Sequence, residues 1–318
     1  MVYNLERLIE ACSWKPSFNL HYSKYYLQIN LANRIMLNRL SDFLVPKVGD
    51  AIATVGSDAR LEKGYTSRIE LTILLSENCE KEPYFKLSEE FPSLIHPLLD
   101  FKKIISKSYL YMDDSRRVFP TRIFDLRFIA GDYDRFVYEK SKFIQEIKLD
   151  HQKIKKALRN KRKYYLDILT TGFAEFKKTR FKHYDLETGE IFYNNKTQWG
   201  LKFGPLRTIQ YHLAYNINKI LRQTGDIKFL LNLPSTIVER LYYLENNPYT
   251  CPEINELSDN YMFFLKEYHL SQKVFKDLIK KENNNPENKT LAMIYNANDW
   301  SEIKERIFSV YQLLKTKN

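Results

Sequence analysis

Helical spacing of apolar residues runs through most of the chain and gives way over one interval, between residues 46 and 120. Ahead of it, Leu5, Leu8, Ile9 and Cys12, then Tyr26, Leu27, Ile29, Leu31, Ile35, Met36, Leu40, Phe43 and Leu44 recur at three- and four-residue steps, broken at Pro16 and Pro46. That pattern predicts two helices. Beyond Arg122 the same spacing returns over 136–147, 154–181, 206–221, 237–244, 261–279 and 303–314, which predicts a helical bundle. Inside the interval, Asp50 to Val55 is a short β-prone run ended by Gly56, and Arg68 to Leu75 is a second, closed by Ser76, Glu77 and Asn78. A third strand is expected at 103–112, after an irregular helical stretch at 89–99 that contains Pro92 and Pro97. The expected fold is α+β: N-terminal helices at 1–45, a small mixed-sheet α/β domain at 46–134, and a helical domain at 135–318.

Charge narrows the partners. The chain carries 50 Lys and Arg against 39 Asp and Glu, a net charge of +11, and such an excess favours an anionic partner: a nucleotide, RNA or an acidic protein. The three cysteines, Cys12, Cys79 and Cys251, are far apart and form no zinc-type pair. No apolar run reaches the eighteen or so residues of a membrane helix, and Glu6, Arg7 and Glu10 interrupt the N-terminus where a signal peptide would be apolar. A cytoplasmic protein with no membrane partner is expected.

The stretch richest in chemistry is Ala53 to Leu75, ATVGSDARLEKGYTSRIELTILL. Gly56 lets backbone approach a phosphate chain closely, Ser57 offers a hydroxyl and amides, and Arg60 adds a fixed cation. On the following strand, residues two apart share a face, so carboxylates at that spacing could share metal ions bridging a triphosphate and an attacking hydroxyl. The pattern Gly56-Ser57-x-Ala59-Arg60-x-Glu62, four residues, then Ser67-Arg68-Ile69-Glu70-Leu71 resembles the nucleotidyltransferases related to the PII-protein uridylyltransferases, of the polymerase-β type. Those read G-S-x-G-R-x-E, four residues, then T/S-D-x-D. Phe124-Asp125-Leu126-Arg127 through Gly131-Asp132 is similar to an F-D-x-R-x-x-x-G-D segment of that group, expected here as a helix. Leu201 to Arg207 is similar to the opening of its helical substrate-binding domain. The matches span roughly residues 50 to 245.

The resemblance implies a nucleotide site at Gly56, Ser57, Arg60 and Arg68, with Glu70 as the surviving catalytic carboxylate. Where the family has its first metal-binding Asp this chain has Arg68, which inverts the electrostatics where magnesium would sit, and one Glu cannot hold two metals. No metal ligand set is therefore assigned. Asp113 and Asp114 are the only acidic candidates for a third carboxylate near the end of the next strand. Asp125 and Arg127 are expected at the domain junction, with Asp125 buried and paired. Glu62 is assigned to the same junction as a structural carboxylate, pairing with Arg60 or capping a helix, rather than a catalytic group, and it is not a candidate base. The expectation is a degenerate, catalytically impaired nucleotidyltransferase-like protein serving as a nucleotide-binding sensor or scaffold. One alternative is a structural or RNA-binding subunit of a larger assembly. The other is an active enzyme that, with magnesium and a nucleoside triphosphate, transfers a nucleoside monophosphate to a protein or small-molecule hydroxyl.

Residues 151–182 hold eleven Lys and Arg against Asp167 and Glu175. Lys155, Lys156, Arg159, Arg162 and Lys163 are candidate nucleic-acid contacts, with Tyr164, Tyr165, Phe173 and Phe176 available to stack on bases. The competing reading is a solvated helix face whose aromatics are buried in the bundle. The six histidines are scattered, with no i, i+4 pair.

Overall fold

The computed structural model describes residues 15–44, 46, 48–64, 69–74, 99–100, 124–149, 151–170, 201–245, 254–281 and 297–315. The first expected helix, the strand expected at 103–112, most of the stretch at 89–99, and Arg68, Asp113 and Asp114 lie outside these residues. Helix α1, Tyr22–Phe43, buries Tyr25, Tyr26, Ile29, Ala32, Asn33, Met36, Leu37 and Leu40, one stripe at the helical period. It ends where Leu44 turns extended and gives its N–H to the Leu40 carbonyl, two residues before Pro46.

The sheet comprises β1 (Ala51–Val55), the one-turn helix α2 (Gly56–Ala59) at its end, β2 (Leu71–Leu74), the two-residue β3 (Leu99–Asp100) and β4 (Leu126–Gly131). The strand order is β3-β2-β1-β4. β1 pairs antiparallel with β2, Ala51 opposite Leu74, and with β4, Val55 opposite Leu126, with a bulge between Ile52 and Ala53; β3 runs parallel to β2. The two β-prone runs around Gly56 are thus sheet neighbours. Every residue of β1 is buried, as a central strand covered on both faces must be. Ile52, Leu71, Ile73 and Ile129 face Met36, Leu37 and Leu40 of α1, while Ala51, Ala53, Val55 and Leu74 join the larger core. The pleat separates the two sets.

The segment expected as a helix at Phe124 to Asp132 is a strand instead. Its apolar residues serve the open edge of β1, a partner that the local sequence does not reveal. Gly131 closes the strand with φ +96°.

The helical part follows as α3 (Tyr133–Leu149), α4 (His151–Thr170), a π-type turn at Lys202–Leu206, α5 (Arg207–Thr224), α6 (Ile227–Leu231), α7 (Ile237–Glu245), α8 (Ile254–Lys281) and α9 (Ala297–Lys315). Pro205 has no N–H to give and Gly204 has a non-helical ψ of −110°, so the backbone widens for a turn before α5 begins. Thr208 bridges the gap by donating to the carbonyls of Gly204 at 2.9 Å and Tyr165 at 3.2 Å. The larger core runs from Tyr25 and Val55 through Leu206, Tyr211 and Phe264 to Leu314, so sheet and helices share one apolar interior across the expected 134/135 boundary. Among the described residues no helix is long and apolar enough to cross a membrane.

Candidate functional site

Gly56, at the end of β1, has φ +66°, and a Cβ there would stand 3.1 Å from Glu70 Oε2. The left-handed backbone is what calls for glycine, since the Glu70 side chain can shift by the few tenths of an ångström a Cβ needs. The turn it opens is held by Arg60 N–H to the Gly56 carbonyl at 3.2 Å and Glu62 N–H to the Ser57 carbonyl at 2.8 Å. Arg127 on β4 braces it from the side, its Nε donating to the Ala59 carbonyl at 2.9 Å. Gly64 closes the segment against α8: a Cβ at that position would lie 2.2 Å from Gln272 Oε1 and 2.8 Å from His269 Cδ2. His269 is wholly buried, its Nδ1 is hydrogen-bonded with the Tyr25 hydroxyl at 3.0 Å, and burial pushes its pKa down to about 3.

Arg60 turns away from solvent. Its Nε donates to Glu62 Oε2 at 2.9 Å and its Nη1 to Asp125 Oδ2. Asp125, 1% exposed, takes Arg240 Nη1 on its other oxygen at 2.6 Å. Arg240 is in turn fixed by donating to the carbonyls of Phe124, Pro234 and Ser235. Glu62 Oε2 also accepts the Tyr261 hydroxyl at 2.7 Å, and that hydroxyl accepts Gln210 Nε2 at 2.8 Å. Two arginines and two carboxylates therefore form a closed, charge-balanced cluster joining the sheet to α5, α7 and α8. Burial opposes the Arg60 charge, yet Asp125 and Glu62 outweigh it and hold its pKa well above the ordinary value. Burial, working against Arg60, leaves Glu62 above the usual carboxylate range, and burial followed by Glu62 raises Tyr261.

The structure thus places Asp125 and Glu62 in a buried junction and brings Arg60 there too, with its charge consumed by carboxylates. Glu70 is half-buried beside Gly56, and its N–H donates to Asp58 Oδ2 at 3.1 Å. Asp58 is fully buried, its Oδ1 has no hydrogen-bond partner, and burial pushes its pKa up to about 7. A pair of magnesium ions does not fit this donor set: Glu62 and Asp125 are bound to arginines, Asp58 is sealed from solvent, and among the described residues no three His, Cys, Asp or Glu gather at metal-binding spacing.

A cleft opens between the glycine-serine turn and the helices, with about 360 Å³ of open space including its mouth. Ser57, Arg60, Glu62 and Gly64 form one wall; Lys202, Arg207, Gln210, Tyr261 and Tyr268 are among the residues opposite. Lys202 Nζ lies 5.7 Å above the Tyr268 ring, and Arg207 Nη1 donates to Gln210 Oε1 at 2.7 Å. Lys202 and Arg207 are the other charged side chains of this lining. Lys202 and Arg207 stand in the third sequence match, which was the signal for them; nothing near Gln210, Arg240, Tyr261 or Tyr268 marked those residues.

Of the basic residues on α4, Lys156, Arg159 and Lys163 are exposed and Lys155 is half-buried. Arg162 is a correction to the expected nucleic-acid contacts. It is buried, donating to His212 Nδ1 at 3.1 Å and the Leu314 carbonyl at 3.0 Å, because it falls on the stripe of Leu158, Tyr165, Leu166 and Leu169. Compared with known proteins, the chain matches no family model and no curated protein.

Proposed function

We propose that this is a nucleotidyltransferase-like protein that binds the phosphates of a nucleotide in the cleft, transfers nucleotides poorly or not at all, and acts as a sensor or scaffold. The carrying observation is the cleft's charge. Ser57 stands on a glycine turn, and the lining holds three basic side chains, Arg60, Lys202 and Arg207, beside one carboxylate, Glu62. A concave wall of that sign draws anions without needing a metal to offset acidic side chains. The resemblance of Gly56-Ser57 and its flanks to nucleotidyltransferases makes a nucleotide the anion of choice.

Calorimetric titration of the four nucleoside triphosphates, with and without magnesium, tests the reading. Binding should change little when magnesium is chelated. Lys202→Ala and Arg207→Ala should each weaken it by about ten-fold or more, the worth of one charge-assisted hydrogen bond. Robust metal-dependent labelling of an acceptor that vanishes in Ser57→Ala and Glu70→Ala would overturn the impaired-enzyme reading.

A further inference from the structure

Helix α4 carries seven Lys and Arg within His151–Thr170 and a single acid, Asp167. Its buried stripe of Leu158, Arg162, Tyr165, Leu166 and Leu169 packs into the bundle. Lys156, Arg159, Asn160, Lys163 and Tyr164 lie on the other side and are exposed. These positions are i, i+3, i+4, i+7 and i+8, one face of an α-helix. At 1.5 Å per residue, Lys156 and Lys163 are about 10 Å apart along the axis.

Some cations on other helices are neutralised within a turn. Arg135 of α3 pairs with Glu139 at 2.7 Å, and Arg306 of α9 with Glu302 at 2.9 Å, both at i, i+4 spacing. On α4, among the described residues, Lys156, Arg159 and Lys163 have no acidic partner, and cations at these spacings repel one another. The summed field of such a row favours a polyanionic partner. Tyr164 adds a second kind of group. Its residue is 43% exposed, its ring is met edge-on by Tyr165 with centroids 5.1 Å apart, and Lys161 Nζ lies 5.6 Å from its centroid. The ring is held in place with much of its surface open.

We infer that the exposed face of α4 binds single-stranded nucleic acid, with Lys156, Arg159 and Lys163 on successive phosphates and the Tyr164 ring beneath an unstacked base. The row of cations supplies a sequence-independent attraction to the backbone. The aromatic selects a single strand over a duplex, whose base faces are already stacked and closed to a side chain. This face is separate from the cleft residues, so the inference does not depend on nucleotide binding there.

The experiment is fluorescence anisotropy of the full chain with a labelled twelve-nucleotide single-stranded oligouridylate, across a series of salt concentrations. Neutralising three phosphates of a single strand gives a slope of log affinity against log salt of about −2. Changing Lys156→Ser, Arg159→Ser and Lys163→Ser together should flatten the slope towards zero and weaken binding at low salt at least about ten-fold. Tyr164→Ala should leave the slope unchanged and weaken binding about ten-fold, as loss of one base stack does. A thermal melt of each variant checks that it is folded, and Arg159→Gln alone, which should reduce the slope by about 0.7, reads the same contact if the triple variant is not. An unchanged slope in the charge variants overturns the inference. So does a neutral Tyr164→Ala combined with equally tight capture by vesicles rich in phosphatidylserine, which would make the face a membrane contact.

Discussion

Two groups of cations lie within a few residues of each other in space and behave in opposite ways. Arg60 and Arg240 are sunk in the junction, each bound to a carboxylate and to further acceptors. Lys202 and Arg207 line the cleft wall, one beside a tyrosine ring and the other on a neutral amide. The difference teaches that a basic residue beside a glycine-serine turn is not by that fact a phosphate ligand. The carboxylates that the fold brings to it decide whether its charge is available. In this molecule Asp125, supplied from the start of β4, and Glu62 take up the charge of Arg60.

The comparison breaks most visibly at Asp125. Asp125→Ala strips both buried arginines of a shared partner, and a buried charge left uncompensated costs about 3–5 kcal/mol. Urea denaturation should show a loss of that size, and a loss below about 1 kcal/mol would mean that the junction is solvated.

Asp58 sharpens the comparison, being a buried carboxylate with no arginine hydrogen-bonded to it. Its folded pKa is raised to about 7, above its unfolded value, so its contribution to stability is full at low pH and is lost as pH rises through 7. Between pH 5 and pH 8 the wild type should lose about 2–3 kcal/mol by this linkage. Asp58→Asn should flatten that slope, and an unaltered slope in the variant would assign the titration to another group.

The smallest effect on stability belongs to the cleft. Lys202→Ala and Arg207→Ala, at half-buried positions, should each cost less in denaturation than Asp125→Ala. A loss comparable to that at Asp125 would place them in the junction as well.

The strand pair and the helices were legible because the signals are local. Gly56 ends the β-prone run of β1, and the helical stripes, such as that of α1 from Tyr25 to Leu40, repeat over several turns. β4 was not legible as a strand, because Leu126–Gly131 is short and its identity depends on the open edge of β1, more than seventy residues earlier. The role of Arg60 was hidden for the same reason: its decisive partner is 65 residues away. Arg162 could be read as basic, whereas its inward direction follows from its register with Leu158 and Leu169.

The closed junction also restricts how the sequence can drift. Arg60, Glu62, Asp125 and Arg240 find their opposite charges in one another, so a substitution at one strands an opposite charge in a dry interior. Two arrangements avoid that penalty: keeping all four, or exchanging the set together for apolar side chains of similar volume. The intermediate steps are the costly ones, and inheritance of these positions is tied into a single unit.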